Sequence, residues 1–383
     1  MTQVHRSRPG ARLDTGVEHE GQDMAEREAS TTQHERDIAL MRRALELAAR
    51  GPVADANPRV GAVILDRAGT VIGEGFHEGA GTPHAEVMAL REAGGTARGG
   101  TAVVTLEPCA HTGLTGPCSQ ALIEAGVSRV VFAQTDPNPS ARGGRVLLEA
   151  AGIETKAGVL AEQSTALNDA WTFSLVHGRP KVTWKYAATL DGRSAAADGS
   201  SRWITGPEAR ADVHQLRAHC DAILVGTGTV IADDPALTVR GSDGRPTGRQ
   251  PLRVVMGLRP IPESARVLVL DAPTLHLATH DPAEALKTLA EQEIHHVWLE
   301  GGPTVAAAFL AAGLVDEVIA YLAPAFLGAG APAVGDLGIQ TIGQALRLTT
   351  HEVTTVGIDI RIRASINPRT AIPRTAIPNR EGL

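Results

Sequence analysis

At 383 residues the chain is too long for one ordinary core, so two domains with tails are the expectation. Its 43% hydrophobic and 21% charged residues are those of a soluble globular protein, and with 3% aromatics its cores must be built from Val, Leu, Ile and Ala. A net charge of -7 excludes the broad basic surface of a nucleic-acid binder, and the longest apolar run, Thr304–Val315, is shorter than the roughly 20 residues that span a bilayer.

Residues 1–34 are polar, charged and aperiodic, and a disordered tail without the apolar centre of a secretory signal is expected there. From Asp37 to Ala49, DIALMRRALELAA, apolar residues recur at helical spacing. A buried strand follows at Val60–Asp66, then a helix at Pro83–Gly94 that opens on Pro and closes on Gly. Next come a strand at Thr101–Pro108, a helix at Cys118–Val127 and a strand at Arg129–Asp136. The pattern weakens over 159–180, read as a connector between domains at 35–158 and 181–366. The second series runs strand Lys181–Leu190, helix Gly206–Cys220, and strands Asp221–Gly226, Leu252–Gly257 and Thr274–Thr279. It continues with helix Pro282–Gln292, strand His295–Gly302, helix Thr304–Gly313 and strand Asp316–Pro324, and ends on one long alternating strand, Glu352–Ile366. Alternating strands and helices imply largely parallel sheets covered on both faces. Residues 367–383 carry RTAIP twice and read as a flexible extension.

Two of the three cysteines lie in TLEPCAHTGLTGPC, Thr105–Cys118, each directly after a proline. Three cysteines make no disulfide framework, and a cytoplasmic protein is expected. A catalytic zinc needs three protein ligands and an open position for water, and thiolates with an imidazole suit it. His84, Cys109 and Cys118 supply those ligands from the starts of two expected helices. Glu86, two residues after His84, can reach the water without ligating the metal, the arrangement of the zinc deaminases. The plainer alternative is a closed zinc site or two incidental buried cysteines.

NPRVGAVI (Asn57–Ile64), HAE (His84–Glu86), LEPCAHTGLTGPC (Leu106–Cys118) and DPNP (Asp136–Pro139) together resemble the deaminase half of the bifunctional riboflavin-biosynthesis deaminase–reductases. The resemblance implies a cytidine-deaminase-like three-layer α/β domain, with Asn57, His77, His111, Thr115, Asp136 and Asn138 as substrate contacts. Asp-Pro and Asn-Pro are also turn formers, so Asp136 and Asn138 have a second reading. The sequence departs from the family where Leu114 replaces a basic residue and where SARGGR follows DPNP in place of V-x-G-x-G. Arg142 or Arg145 could supply the missing charge.

The resemblance continues through KYAATLDGR (Lys185–Arg193), SRWITG (Ser201–Gly206), VGTGTV (Val225–Val230), DDPALTVR (Asp233–Arg240) and LEGGPTV (Leu299–Val305). It implies a dihydrofolate-reductase-like α/β domain that uses NADPH. Glycines just after strands let backbone amides approach a pyrophosphate, although Gly228 is as easily a turn glycine. By the resemblance, Trp203, Thr205, Gly226, Thr227, Thr229, Gly301 and Gly302 bind cofactor. Ser201, Arg202, Asp234, Leu237, Arg240 and Glu300 bind substrate, with Arg202 equally suited to the cofactor's 2′-phosphate. Lys185, one of four lysines, lies in mid-strand where a charge needs a cavity, and is the expected catalytic group. Cys220 reads as a buried structural thiol.

The whole reading is of a bifunctional enzyme of riboflavin biosynthesis. Zinc-dependent hydrolytic deamination of a pyrimidine ribotide comes first, and reduction of its ribosyl group by NADPH second. Its partners are the small-molecule ribotide and copies of itself in a homo-oligomer, with no nucleic acid and no membrane. The rivals are a chain with one active domain and a zinc-stabilised ligand sensor without turnover.

Overall fold

The computed structural model describes residues 16–111, 116–269 and 272–366. They group into two compact units. The first takes residues up to Arg50, Val60–His77 and Pro83–Ser164; the second takes Gly51–Arg59, Glu78–Thr82 and the chain from Thr165 onward. The first unit is therefore not the contiguous block 35–158, because the loops 51–59 and 78–82 group with the second. No helix among the described residues is long and apolar enough to cross a membrane.

In the first unit α1 (Gly16–Ala48) is followed by β1 (Gly61–Leu65), β2 (Val71–Phe76), α2 (Ala85–Ala93), β3 (Thr101–Leu106), α3 (Cys118–Ala125), β4 (Arg129–Gln134), α4 (Gly144–Ala150) and β5 (Glu154–Ala157). The chain leaves the unit within α5 (Ala161–Leu167). Residues 16–34, expected as part of a disordered tail, are instead the first turns of α1. They carry several Glu, Ala and Gln residues, and extending a helix already nucleated by packing needs little beyond such propensity. That packing begins at Asp37. Its buried carboxylate accepts two bonds from Arg129 (2.8 and 2.9 Å) and one from Lys156 (2.8 Å), tying α1 to β4 and β5. Burial alone would raise the Asp37 pKa; the bonds from Arg129 and Lys156 outweigh it and hold the carboxyl well below the usual range.

The sheet order is β2-β1-β3-β4-β5. Only β3, β4 and β5 run parallel; β1 is antiparallel to both β2 and β3, so the largely parallel expectation fails at this edge. The cause is a hairpin that the sequence pattern concealed, closed by Asp66 Oδ1 accepting from Ala68 N and Thr70 N. Side chains alternate across the sheet: Val63, Val103 and Val131 pack with Met41, Ala44 and Leu47 of α1. Their neighbours Ile64, Val104 and Phe132 are buried on the opposite face, giving three layers.

The second unit begins with α6 (Asp169–His177), β6 (Lys181–Thr189), α7 (Pro207–Arg217), β7 (Ala222–Gly226), α8 (Thr227–Asp233), β8 (Leu252–Met256), α9 (Arg266–Val269) and β9 (Thr274–Leu277). It continues with α10 (Pro282–Ala290), β10 (His296–Leu299), α11 (Pro303–Ala311), β11 (Glu317–Ala323), β12 (Leu348–Val356) and β13 (Asp359–Ile366). The sheet order is β12-β13-β11-β6-β10-β7-β8-β9, parallel from β11 to β9. The single strand expected at Glu352–Ile366 is in fact the β12–β13 hairpin, because Gly357 at φ +62° reverses the chain and pairs Val356 with Asp359. One face packs Val182, Leu224, Val254 and Leu299 against Leu286 of α10 and Phe309 of α11. The other packs Ile223, Val225, Val255 and Trp298 against α7 and α8. Interleaving a near-continuous Val/Ile/Leu run between two helical layers is what a parallel sheet requires.

Candidate active sites

In the first unit, two helix N-termini meet beyond the C-terminal end of β3. His84 is the N-cap of α2, Cys118 is the first residue of α3, and Cys109 follows β3 after Glu107 and Pro108. His84 Nδ1 lies 3.2 Å from Cys118 Sγ and 3.7 Å from Cys109 Sγ. Those separations match the edges of a tetrahedron about a cation with Zn–N near ~2.0 Å and Zn–S near ~2.3 Å. No other group of this kind occurs among the described residues. Cys118 N donates to Cys109 Sγ at 3.3 Å, and Ser119 Oγ donates to Cys109 O at 3.0 Å, so the start of α3 wraps the first thiol. With only protons to share, the hydrogen bond from Cys118 lowers Cys109 to about 4, while Cys118 itself is pushed up.

Glu86 is buried in the first turn of α2. Burial, with the Cys109 charge adding to it, pushes its carboxyl up to about 7, the range in which a group both accepts and returns a proton. His77 is buried edge-on against His84, with ring centroids 5.4 Å apart, and its Nδ1 donates to Pro83 O; it braces the ligand ring.

Asp136 and Asn138 both close turns. Asp136 Oδ1 accepts from Asn138 N at 2.8 Å, and Asn138 Oδ1 accepts from Ser140 N at 3.0 Å. Burial raises Asp136 to about 6. His111 is exposed, and Thr115 and Leu114 lie outside the described residues. Asn57 is in the segment grouped with the second unit, its backbone N donating to Asp55.

The SARGGR departure has a structural meaning. A Cβ on Gly144 would sit 1.7 Å from Pro108 O, so the second glycine lets α4 pack on the turn that presents Cys109. Glu107, given no role from sequence, holds the same loop by accepting from Asp136 N, Gly143 N and Arg145 N. Its place between strand and Pro-Cys was the available signal. Arg145 is paired with Glu149 (2.8 Å), whereas the Arg142 side chain is exposed and makes no ion pair among the described residues.

In the second unit the site is an assembly of half-buried charge. Lys185 is in the middle of β6, Glu300 follows β10, and Arg217 ends α7. Arg217 grips Glu300 with two bonds, 2.7 and 2.5 Å, and donates to Thr238 O at 3.1 Å; Trp298 Nε1 also donates to Glu300. Burial favours the neutral form of Glu300, but the charges of Arg217 and Lys185 outweigh it and hold the carboxyl at about 2. Burial lowers Lys185; Glu300 opposes that shift and Arg217 adds to it. Sequence reading missed Arg217, because nothing in HQLRAHC marks an arginine whose partner is 83 residues away.

Gly226 caps α8 and Gly302 caps α11 at the C-terminal ends of β7 and β10, adjacent strands of the sheet. A Cβ on Gly226 or Gly301 would lie 2.7 or 2.8 Å from the Val305 side chain, so those two glycines are needed for packing. Gly302 differs: only Thr229 Oγ1, at 3.7 Å, faces it, and no side chain caps α11. An open glycine before a nine-residue helix with uncapped N–H groups fits a pyrophosphate. Gly228 is not in a turn but in the first turn of α8. Thr227 is buried beside these positions.

Trp203 is 70% exposed under Arg210, whose guanidinium lies 4.5 Å above the ring and also donates to Thr205 O. Arg202 donates to Asp233 O, and Ser201 is half-buried beside it. Asp234 closes α8 by accepting from Arg266 N at 2.8 Å, and Leu237 is buried in the core, so both shape the loop. Arg240 donates to Thr238 Oγ1 at 3.0 Å. Cys220 is fully buried.

The family model for the cytidine and deoxycytidylate deaminase zinc-binding region matches residues 34–134, and that for the RibD C-terminal domain matches residues 180–362. A riboflavin biosynthesis protein RibD of Mycobacterium tuberculosis is 54% identical over 305 residues, covering 79% of this chain and 89% of that protein. The chain belongs to the RibD family. The solved structure of Acinetobacter baumannii RibD is 41% identical, with a TM-score of 0.79 over 87% of this chain and 99% of that one. A Thermotoga maritima diaminohydroxyphosphoribosylaminopyrimidine deaminase/5-amino-6-(5-phosphoribosylamino)uracil reductase is 33% identical, with a TM-score of 0.78 over 88% of this chain and 100% of that one. RibD proteins join a deaminase to a reductase. The first unit is accordingly the cytidine-deaminase-like, zinc-binding half, and the second the dihydrofolate-reductase-like half that uses NADPH.

Proposed function

We propose that this chain carries out two consecutive steps on one ribotide. The first is hydrolytic deamination of 2,5-diamino-6-ribosylamino-4(3H)-pyrimidinone 5′-phosphate; the second is reduction of the ribosyl group to ribityl. When bound, zinc would supply a water whose pKa is lowered to near neutrality, and NADPH would supply the hydride. The observation that carries this reading is the three-ligand cluster His84, Cys109 and Cys118 with buried Glu86 beside it. A structural zinc would take a fourth protein ligand and has no use for such an acid.

Glu86, buried near the cluster, takes the proton of the attacking water and returns it to the departing ammonia. Arg142, exposed on the loop beside Cys109, takes the place of the basic residue lost at Leu114. In the reductase half Lys185 donates a hydrogen bond to the C1′ carbonyl or imine, and Glu300 keeps it oriented and charged. Arg240, next to Arg217 and Arg266 in charge, holds the ribotide phosphate. Asp136 and Asn138 act by shaping the loop.

The test is mass spectrometry of the diaminopyrimidinone ribotide after incubation with zinc-replete protein, with and without NADPH. Exchange of amine for oxo without NADPH, then a two-hydrogen gain with it, is the expected course. Unchanged substrate in both tubes would remove the reading in favour of a ligand sensor. We also propose a homo-oligomer located in the cytoplasm, where thiol ligands stay reduced. Exposed Leu348, Val353, Ile358 and Ile360 on the β12–β13 hairpin support self-association. Light scattering at the monomer mass would refute the first statement, and fractionation of cells into a non-cytoplasmic pool the second.

A further inference from the structure

The loop 201–205, expected to meet both cofactor and ribotide, leads directly into α7. One hold on it is Arg210, which donates to Thr205 O at 2.7 Å and lies over the Trp203 ring. The residue that joins loop to helix is Gly206, at φ -66° and ψ 171°. It is the N-cap of α7, and as a glycine it has no side chain with which to cap the helix.

The missing acceptor comes from far along the chain. Asp359, the first residue of β13, is fully buried, and its Oδ2 accepts from Gly206 N at 2.7 Å across 153 positions. Residues 359 and 361 share a face of β13. Arg361 holds Asp212 of α7 with bonds of 2.8 and 2.9 Å, and Tyr321 of β11 donates to Asp212 as well. The body of the helix is therefore fixed by the Asp212 cluster, and Asp359 acts on its entry.

The turn before Asp359 allows the approach. Gly357 reverses the chain at φ +62°, and a Cβ there would lie 2.6 Å from Glu208 Oε2, in the first turn of α7. Only glycine lets the hairpin come so close to the helix start. The second carboxylate oxygen, Asp359 Oδ1, is buried without a hydrogen-bond partner among the described residues. A carboxylate buried on a single bond costs stability. Packing alone does not call for one, and costs of this kind gather where function needs them.

We propose that Asp359 is a positioning residue for the reduction: by holding Gly206 N it fixes where Trp203 and Thr205 stand toward the cofactor. It touches neither reactant itself. The inference rests on the reading of Trp203 and Thr205 as cofactor contacts.

The experiment is steady-state reduction of the deaminated ribotide by NADPH, on the zinc-loaded full chain. Asp359→Leu is similar in size and removes the acceptor; KM for NADPH rises about 10- to 100-fold while kcat falls less. Asp359→Asn, whose amide oxygen still accepts from Gly206 N, restores most of the wild-type KM. Gly206→Pro tests the bond from its other side, because a proline ring suits φ -66° and removes the N–H. Its KM matches that of Asp359→Leu, and the double variant is no worse than either single one. Gly206→Pro and Asp359→Asn decide the matter even where Asp359→Leu does not fold. A wild-type KM in Asp359→Leu or Gly206→Pro, additive effects in the double variant, or an Asp359→Asn protein as impaired as Asp359→Leu overturns the assignment. Trp203→Ala with a wild-type KM for NADPH overturns instead the cofactor reading of the loop, an outcome distinct from the first.

Discussion

The two units build their chemistry in opposite ways. In the first, four candidate residues lie within two short segments, 84–86 and 109–118, and each segment leads into a helix. The charge-bearing groups there become useful through a metal that holds them together. In the second, Lys185, Arg217 and Glu300 come from three distant elements and hold one another in place by charge and by the two Arg217–Glu300 hydrogen bonds. A chelating site needs correct local spacing, whereas a buried ion cluster needs the whole sheet. The first is robust to remote change and fragile at its ligands; the second is fragile wherever a partner is lost.

Substitutions can break that contrast or sharpen it. The largest effect is expected of Cys109→Ser or Cys118→Ser, which should abolish both zinc retention and deamination while NADPH binding persists. Metal analysis after dialysis checks it, and retained zinc would remove the ligand assignment. Next is Glu86→Gln, which should keep zinc and slow deamination by about 100- to 10,000-fold. A rate near wild type would assign the proton transfer elsewhere.

Glu300→Gln should do more than lower reduction. It leaves Arg217 and Lys185 buried without a counter-charge, and denaturant unfolding at pH 7 should show about 3–5 kcal/mol lost. Because the folded carboxyl is depressed from 4.5 to about 2, its stabilisation is complete above the unfolded value and fades as pH falls between them. The gap between wild type and variant should therefore close on acidification; a gap independent of pH would speak against the ion cluster.

The smallest effect is expected at Asp37→Asn, away from both sites. Losing the carboxylate that joins α1 to Arg129 and Lys156 should remove about 1–3 kcal/mol at neutral pH and leave zinc content unchanged. The sign is the same as for Glu300: the stabilisation is full above the ordinary value of 3.8 and is lost below it. Reduced zinc occupancy in this variant would show that the chelating site depends on the remote fold after all.

Periodicity and motif spacing made the α/β class, most strands of both sheets, and the cluster of His84, Cys109 and Cys118 with Glu86 near it legible in the chain. These are local properties: a strand buried on both faces reads as an apolar run, and a ligand set at helix starts reads as a motif. The β1–β2 hairpin, the β12–β13 hairpin and the helical start of α1 were not legible. Their cues are an Asp66 side chain folding on its own loop, one glycine at positive φ, and helix propagation from a packed turn.

What the sequence determined by itself is therefore the candidate metal cluster and the succession of elements, because both are encoded within about ten residues at a time. Only the tertiary structure decided that Arg217 neutralises Glu300 and that Gly144 makes room for the Pro108 carbonyl. It also decided that Gly226 and Gly301 make room for the Val305 side chain. Each of these depends on which strand lies beside which, and charge and contact act across space, not along the chain.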